Sequence, residues 1–372
     1  MGALPIIETS FCSFDRLSLF FYLSLGALPL FAPIGEILVP TLEEIAKRAK
    51  VSRSTVSRVV NQDPRVKTQT RERVLAVIKK ANYHPNLAAR SLAAGRTRIL
   101  GLVIPMGVTV LFTDPYFPIL IQGATSACNA HDHSVMLWLA EPEYERRTIS
   151  QVLHNGIVDG VILASMLVDD TLMHSLIESD LPFILVGRHP TDTRVSYIDV
   201  DNIASARQIV EHLIAQGFRR IATITGPMNM IAGADRLEGY RAALTAHNIP
   251  IDPTLIALGD FSQNGGFLAM QQLLALKPDA VFVSSDTMAL GALRAIRAAG
   301  LRVPADIAMA GFDDMPFAET TDPPLTTIRQ PIQHAGYIAA ETLINLIAHP
   351  DSEARRIILP TELVVRASSL RT

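Results

Sequence analysis

The sequence predicts an N-terminal all-α helix-turn-helix headpiece with a hinge helix, followed by a C-terminal two-lobed α/β core with parallel sheets. Three observations predict it. Residues 41–98 carry 14 Lys/Arg against 4 acids, whereas residues 99–372 carry 18 against 29. A small basic module therefore precedes a large acidic one, and the formal net charge of −3 hides both. The basic module shows helix-start signals at short spacing. The acidic part alternates short apolar runs with amphipathic stretches, as buried strands between helices do. With 372 residues, 49% hydrophobic and 19% charged, the chain exceeds one ordinary domain and is not a disordered chain.

Residues 1–38 stand apart. Leu17–Ile34 reads LSLFFYLSLGALPLFAPI, the one long apolar run. Pro29 and Pro33 interrupt it as a membrane span, and Glu8 and Asp15 outweigh Arg16 in what would be a basic signal-peptide start. Gly35-Glu36 can be encoded as a purine-rich ribosome-binding sequence, and Val39 as a GTG start. The expectation is a natural start at Val39, with residues 1–38 an upstream translation or unstructured extension. N-terminal sequencing of the natural protein checks it.

The helix-turn-helix domain is expected over residues 39–84. Thr41-Leu42-Glu43-Glu44 is a capping box, opening a helix to about Ala49. Lys50-Val51-Ser52 breaks the pattern, and Ser52 caps a second helix through Val60. Val51 plugs the turn, and Val56, Val59 and Val60 face inward. A third helix, about Gln69 to Ala81, has Val74, Leu75, Val77 and Ile78 as its core side. Residues 85–97 form a hinge helix, started by Pro85 and ended by Gly95, too short to stand alone. The outward face of the second helix is Arg53, Ser54, Ser57, Arg58 and Asn61. All donate hydrogen bonds and none is acidic, as a helix in a major groove requires.

The run from Thr41 to Thr97, TLEEIAKRAKVSRSTVSRVVNQDPRVKTQTRERVLAVIKKANYHPNLAARSLAAGRT, resembles the headpiece and hinge of the LacI/GalR family of bacterial transcription regulators. The acidic part resembles the family's effector core, which is periplasmic-binding-protein-like. The resemblance implies that Arg53 and Ser54 read operator bases, with Arg58 a further base or phosphate contact. It implies phosphate contacts for Thr41, Ser52, Thr55, Ser57 and Asn61. Leu92 would wedge into the minor groove and kink the operator. Lys50 departs from the family's usual glycine and implies a slightly different turn.

The core spans residues 98–372. Ile99–Pro105, Ser134–Leu139, Val158–Leu163 and Phe183–Val186 read as one set of strands. Ile221–Thr225, Leu255–Leu258, Ala280–Ser284 and Ile307–Gly311 read as a second, with Ile357–Val365 a last strand. The expected lobes are about 98–201 plus 329–348, and 202–328 plus 349–372. Ligands of parallel sheets bind beyond the C-terminal ends of strands. The polar and aromatic residues there are Asp114, Tyr116, Phe117, Arg188, Arg236, Phe261, Asp286 and Asp313. A guanidinium, carboxylates and flat rings suit a small polyhydroxylated ligand. The resemblance places effector contacts at Arg236, Phe261, Asp286 and Asp313, and first-lobe contacts at Tyr116 and Phe117. Asp114 and Arg188 are secondary candidates. Each has a plainer reading: Asp286 a helix cap, Asp313 a turn former, Arg236 an ion pair, Tyr116 or Phe117 lobe core.

No GxxxxGK[ST], GxSxG or HExxH occurs. His131 and His133 flank Asp132 at what reads as a solvated helix end, so neither metal nor cofactor is expected. Cys12 and Cys128 build no disulfide framework, which fits a reducing cytoplasm. Three functions compete. The first is a DNA-binding regulator, most simply a repressor, controlled by a sugar or related metabolite. The second is an exported sugar-binding protein, with Leu17–Ile34 as its signal. The third is an enzyme on the same core. The basic module favours the first, and no nucleophile–base pair supports the third. The expected partners are palindromic operator DNA, a small-molecule effector and a second copy of the chain; no membrane is expected. The absence of an added C-terminal leucine heptad points to a homodimer.

Overall fold

Thr41 and Glu44 form the capping box their spacing predicts. The Glu44 N–H donates to Thr41 Oγ1 at 3.3 Å, and the Thr41 N–H donates to Glu44 Oε2 at 3.0 Å. The structure is a computed structural model describing residues 40–61, 63–83, 96–104, 108–139, 156–164, 171–189, 191–192 and 194–371. The chain divides into two compact units, Met1–Asn86 and Leu87–Thr372.

The first unit holds α1 (Leu42–Ala49), α2 (Arg53–Val60) and α3 (Thr68–Lys80). Ser52 Oγ accepts from the Thr55 N–H at 3.2 Å and starts α2. Ile45, Ala46, Ala49, Val56, Val59, Val74 and Tyr83 form the core, with Val51 packed on it. Leu75 corrects the expected core side of α3. It is 48% exposed, because a 3.6-residue period puts Val74, Val77 and Ile78 on one face and turns Leu75 away. Tyr83 takes a core place that periodicity did not single out. Lys50 takes φ 52° and ψ 48°, the left-handed region that favours glycine. The turn therefore keeps a glycine-type geometry, contrary to the altered turn expected from a side chain there. The hinge region at 84–95, with Leu92, lies outside the described residues.

The second unit has two doubly wound lobes. The first sheet runs β11-β5-β4-β3-β1-β2, all parallel. Its strands are β1 (Ile99–Ile104), β2 (Ser134–Leu139), β3 (Gly160–Ala164), β4 (Phe183–Val186), β5 (Tyr197–Val200) and β11 (Arg356–Leu359). Leu100, Leu102 and Ile104 of β1 pack on one face against α5 (Tyr116–Ala130) and α11 (Ile332–Ala348). The short α4 (Val108–Thr113) precedes α5. Val103 faces the other side, toward α6 (Thr171–Ile177). Each fully buried Leu or Ile of this kind contributes about 1.5–3 kcal/mol. Helices α5 and α11 touch backbone to backbone through glycine. A Cβ on Gly123 would lie 1.8 Å from the Gln333 carbonyl oxygen.

The second sheet runs β7-β6-β8-β9, again parallel, from β6 (Ile221–Thr225), β7 (Ile256–Leu258), β8 (Ala280–Val283) and β9 (Ala308–Ala310). Helices α7 (Asn202–Ala215) and α8 (Ile231–Ala246) cover one face, and α9 (Gln263–Leu274) and α10 (Asp286–Ala298) the other. A two-stranded antiparallel ribbon pairs β10 (Thr327–Arg329) with β12 (Glu362–Val364).

Among the described residues, the chain crosses between lobes three times. The first crossing follows β5, where Asp201 Oδ1 accepts from the Ala204 N–H at 2.9 Å and starts α7. The second lies between β10 and α11, close to the expected lobe boundary at residues 328–329. The third corrects the expected lobe boundary and the single strand Ile357–Val365. Residues 356–359 pair with β5 of the first sheet, and Pro360, lacking an N–H, ends that strand. The chain then re-enters the second lobe as β12. Strand β5 was absent from the predicted set: it is four residues long and carries the polar Asp199 in its middle.

Candidate functional site

Two features gather chemistry. The first is the solvent face of the headpiece. Arg53, Ser54, Arg58 and Asn61 are exposed, and Ser57 and Thr55 are half-buried. Ser52 Oγ lies 2.8 Å from both Ser54 Oγ and Thr55 Oγ1, so the caps and the expected contact residues share one hydroxyl cluster. Arg53 Nη1 is 3.5 Å from Glu43 Oε1, a loose pair with both side chains about 70% exposed. Such a pair is worth little and leaves the guanidinium available. The loop after α2 is pinned from behind: Arg71 Nη2 donates to the Asp63 carbonyl oxygen at 2.5 Å.

The second feature is a cavity of about 460 Å³ between the lobes of the core. It lies at the C-terminal ends of the strands, as parallel sheets dictate. Arg236 is its buried anchor on α8. Its Nε donates to Asn202 Oδ1 at 2.9 Å and its Nη1 to the Ser284 carbonyl oxygen at 2.6 Å. Nη1 also lies 3.5 Å from Asp313 Oδ1. Its guanidinium stacks 3.7 Å from the centre of the Phe312 ring. Gln330, in the second crossing, donates from Nε2 to Asp313 Oδ1 at 2.6 Å. Burial nonetheless dominates at Asp313 and raises its carboxyl to about 7, against the pull of Arg236.

Phe261 supplies a flat wall. It sits at φ 65°, a conformation rare for a bulky side chain and held here by its surroundings. Gly226 makes room for it: a Cβ there would lie 2.2 Å from the ring. From the first lobe, Tyr116 and Phe117 line the cavity and meet edge to face at 5.4 Å between ring centres. Phe117 is also core, so both of its readings hold.

Among the described residues, two side-chain pairs span the cleft. Arg188, after β4, binds Asp235 of α8 through both terminal nitrogens, at 2.6 and 2.9 Å. Thr287 of α10 donates to Asp114 Oδ1 at 3.3 Å, and the same oxygen accepts from the Tyr116 N–H at 3.1 Å. Asp199 lines the cavity beside them, pushed up to about 6 chiefly by burial.

The comparisons with known proteins accord with this arrangement. Residues 41–86 match the model described as bacterial regulatory proteins, lacI family, and residues 210–369 match a periplasmic binding protein-like domain. The chain is 41% identical over 333 residues to the HTH-type transcriptional regulator CelR of Thermobifida fusca, covering 88% of this chain and 98% of that one. It is 35% identical to the ribose operon repressor of Escherichia coli K12, covering 88% and 99%. The chain belongs to the LacI family. Among solved structures, the CelR–cellobiose complex matches with a TM-score of 0.71 at 40% identity, covering 88% and 99%. The lac repressor dimer bound to operator and an anti-inducer matches with 0.78 at 31%, covering 89% and 99%.

The protein is thus a LacI-family DNA-binding transcriptional regulator, and the alternative of an exported sugar-binding protein is not favoured. Its relatives are regulators rather than enzymes, and no helix among the described residues is long and apolar enough to cross a membrane. Arg236, Phe261, Asp313, Tyr116, Phe117, Asp114 and Arg188 all meet at the cavity of this LacI-family core. Asp286 does not, which corrects its expected place. It is fully buried behind the wall, where Oδ1 accepts from the Thr327 hydroxyl at 2.8 Å and Oδ2 from the Met315 N–H at 2.9 Å. Burial and the neighbouring Asp313 raise its carboxyl well above the usual range. The helix cap is Ser285, whose Oγ accepts from the Met288 N–H. Asp199, Asn202, Gln330 and Asp235 were missed. All but Asp235 adjoin a crossing between lobes, which is the signal that flags them.

Proposed function

We propose that the protein is a repressor that binds a palindromic operator as a homodimer in the cytoplasm and that an interlobe sugar, of disaccharide size, controls it. It is a regulator and not an enzyme. Arg53, Ser54 and Arg58 read bases; Thr41, Ser52, Thr55, Ser57 and Asn61 hold phosphates; Leu92 wedges the minor groove. The single observation that carries the effector assignment is the 460 Å³ cavity anchored by Arg236 and walled by Phe261. Its size falls in the usual ligand-pocket range, and the likeness to the CelR–cellobiose complex makes cellobiose the first probe.

Control follows from linkage. An effector that prefers one lobe angle shifts the population of that angle, and with it operator affinity. Operator must then change effector affinity by the same factor, typically ~5–150-fold. The test is a fluorescence-anisotropy titration of the gene's own upstream DNA, with and without cellobiose and related disaccharides. Binding at low salt that shifts with one of these sugars is expected. No binding in any condition overturns the reading.

A further inference from the structure

The chemistry of the cavity wall restricts the charge of what can enter it. This inference rests on the effector assignment above. An anionic sugar is held most strongly by a guanidinium or ammonium with free N–H groups aimed at it. Among the described residues, three arginines line the cavity. Both terminal nitrogens of Arg188 are taken by Asp235, at 2.6 and 2.9 Å. Arg236 spends Nε on Asn202 and Nη1 on Ser284, and presses one face on Phe312. Arg294 lies at the exposed rim, over the Phe267 ring at 5.4 Å. His189 turns Nδ1 toward the N–H groups of Thr191 and Asp192, which fixes that nitrogen as an acceptor.

Against them, Asp114, Asp199, Asp260 and Asp313 line the same space. Asp199 keeps Oδ2 buried without a hydrogen-bond partner, a negative group already short of donors. Among the described residues, the carboxylates that line the cavity therefore outnumber the guanidinium charges not already paired with one.

We propose that Asp235 withholds Arg188 from the cavity, so that the site takes an uncharged polyhydroxylated sugar and rejects sugar acids and sugar phosphates of the same size. The pairing acts as a selectivity element: the guanidinium stays in place, yet its charge is balanced by Asp235 and one N–H of each terminal nitrogen is engaged.

Calorimetry on the full chain tests it with three probes of one skeleton: cellobiose, its uronic acid and its 6-phosphate. The two anions should bind at least about 100-fold more weakly than the neutral sugar, the size of a like-charge penalty at half-buried sites. Asp235→Asn frees Arg188 and should narrow that ratio by about 10-fold. Should Asp235→Asn fold poorly, Asp199→Asn should narrow the ratio in the same direction. An acidic probe binding the wild type as tightly as cellobiose overturns this inference alone, as does an unchanged ratio in both variants. Silence from all three probes overturns the effector assignment and this inference with it.

Discussion

Arg188 and Asp235 come from different lobes and meet as a two-pronged ion pair, 2.6 and 2.9 Å long, at the edge of the interlobe cavity. With the Thr287–Asp114 bond, it ties the lobes together away from the covalent crossings. Arg188→Ala would leave Asp235, only 10% exposed, without its partner. The expected loss is about 1–3 kcal/mol of core stability. Without sugar, small-angle scattering should show a larger radius of gyration. An unchanged scattering profile would show that the crossings alone set the lobe angle.

Arg236 cannot be replaced cheaply. Its guanidinium joins Asn202, Ser284 and Asp313 and stacks on Phe312. Arg236→Ala leaves buried acceptors unpaired and should cost about 3–5 kcal/mol. Arg236→Lys should not restore sugar binding, because an ammonium has neither the fork nor the flat face. Denaturant melts and calorimetry on the two variants separate folding from binding. Full sugar affinity in the lysine variant would refute the assigned role.

Stability should fall as pH rises from about 4 to about 7. Asp199 and Asp313 hold protons up to about 6 and about 7 in the folded chain, against 3.8 for a free carboxyl. In that window the folded state binds more protons than the unfolded one, so each group's contribution is full below the lower value and lost above the upper. Asp63 and Asp192, held low by Arg65 and Arg194, act in the opposite sense, but below pH 4. Urea melts at pH 4.5 and 7.5 check the sign, and Asp313→Asn should flatten the slope.

The turn of the headpiece carries a small removable strain. Lys50 sits in the left-handed region, at φ 52°. Lys50→Gly should raise headpiece stability by about 0.5–1 kcal/mol, the left-handed penalty less glycine's extra chain entropy. A lower melting midpoint would contradict this.

On DNA, Arg53→Ala should cost about 1–3 kcal/mol and relax preference at one operator position. Lys or Arg changes that touch only phosphate should weaken all sequences alike. A binding-site selection with the variant reads the difference.

The headpiece was legible almost to the residue, because Thr41 and Ser52 are local signals acting within three positions. The two strand sets were legible because their apolar runs are contiguous. What escaped depends on distant partners. Arg188 finds Asp235 47 residues away, and Asp286 finds Thr327 41 residues away. One pairing turned a secondary contact candidate into an interlobe tie, and the other hid a carboxylate behind the wall. Neither partner can be read from spacing. Leu75 misled because it neighbours a true core position, and β5 because Asp199 breaks its apolar run.

The return of residues 356–359 to the first sheet has a consequence during synthesis. That sheet gains its edge strand from a segment made about 160 residues after its partner β5. The three-helix headpiece, complete by Tyr83, has all of its core on hand far earlier. On the ribosome, domains fold from the N-terminus as they emerge. A DNA-reading module is therefore finished while the part that governs it still waits for its last strand. Truncation near the C-terminus would remove regulation and core integrity together and leave the headpiece intact.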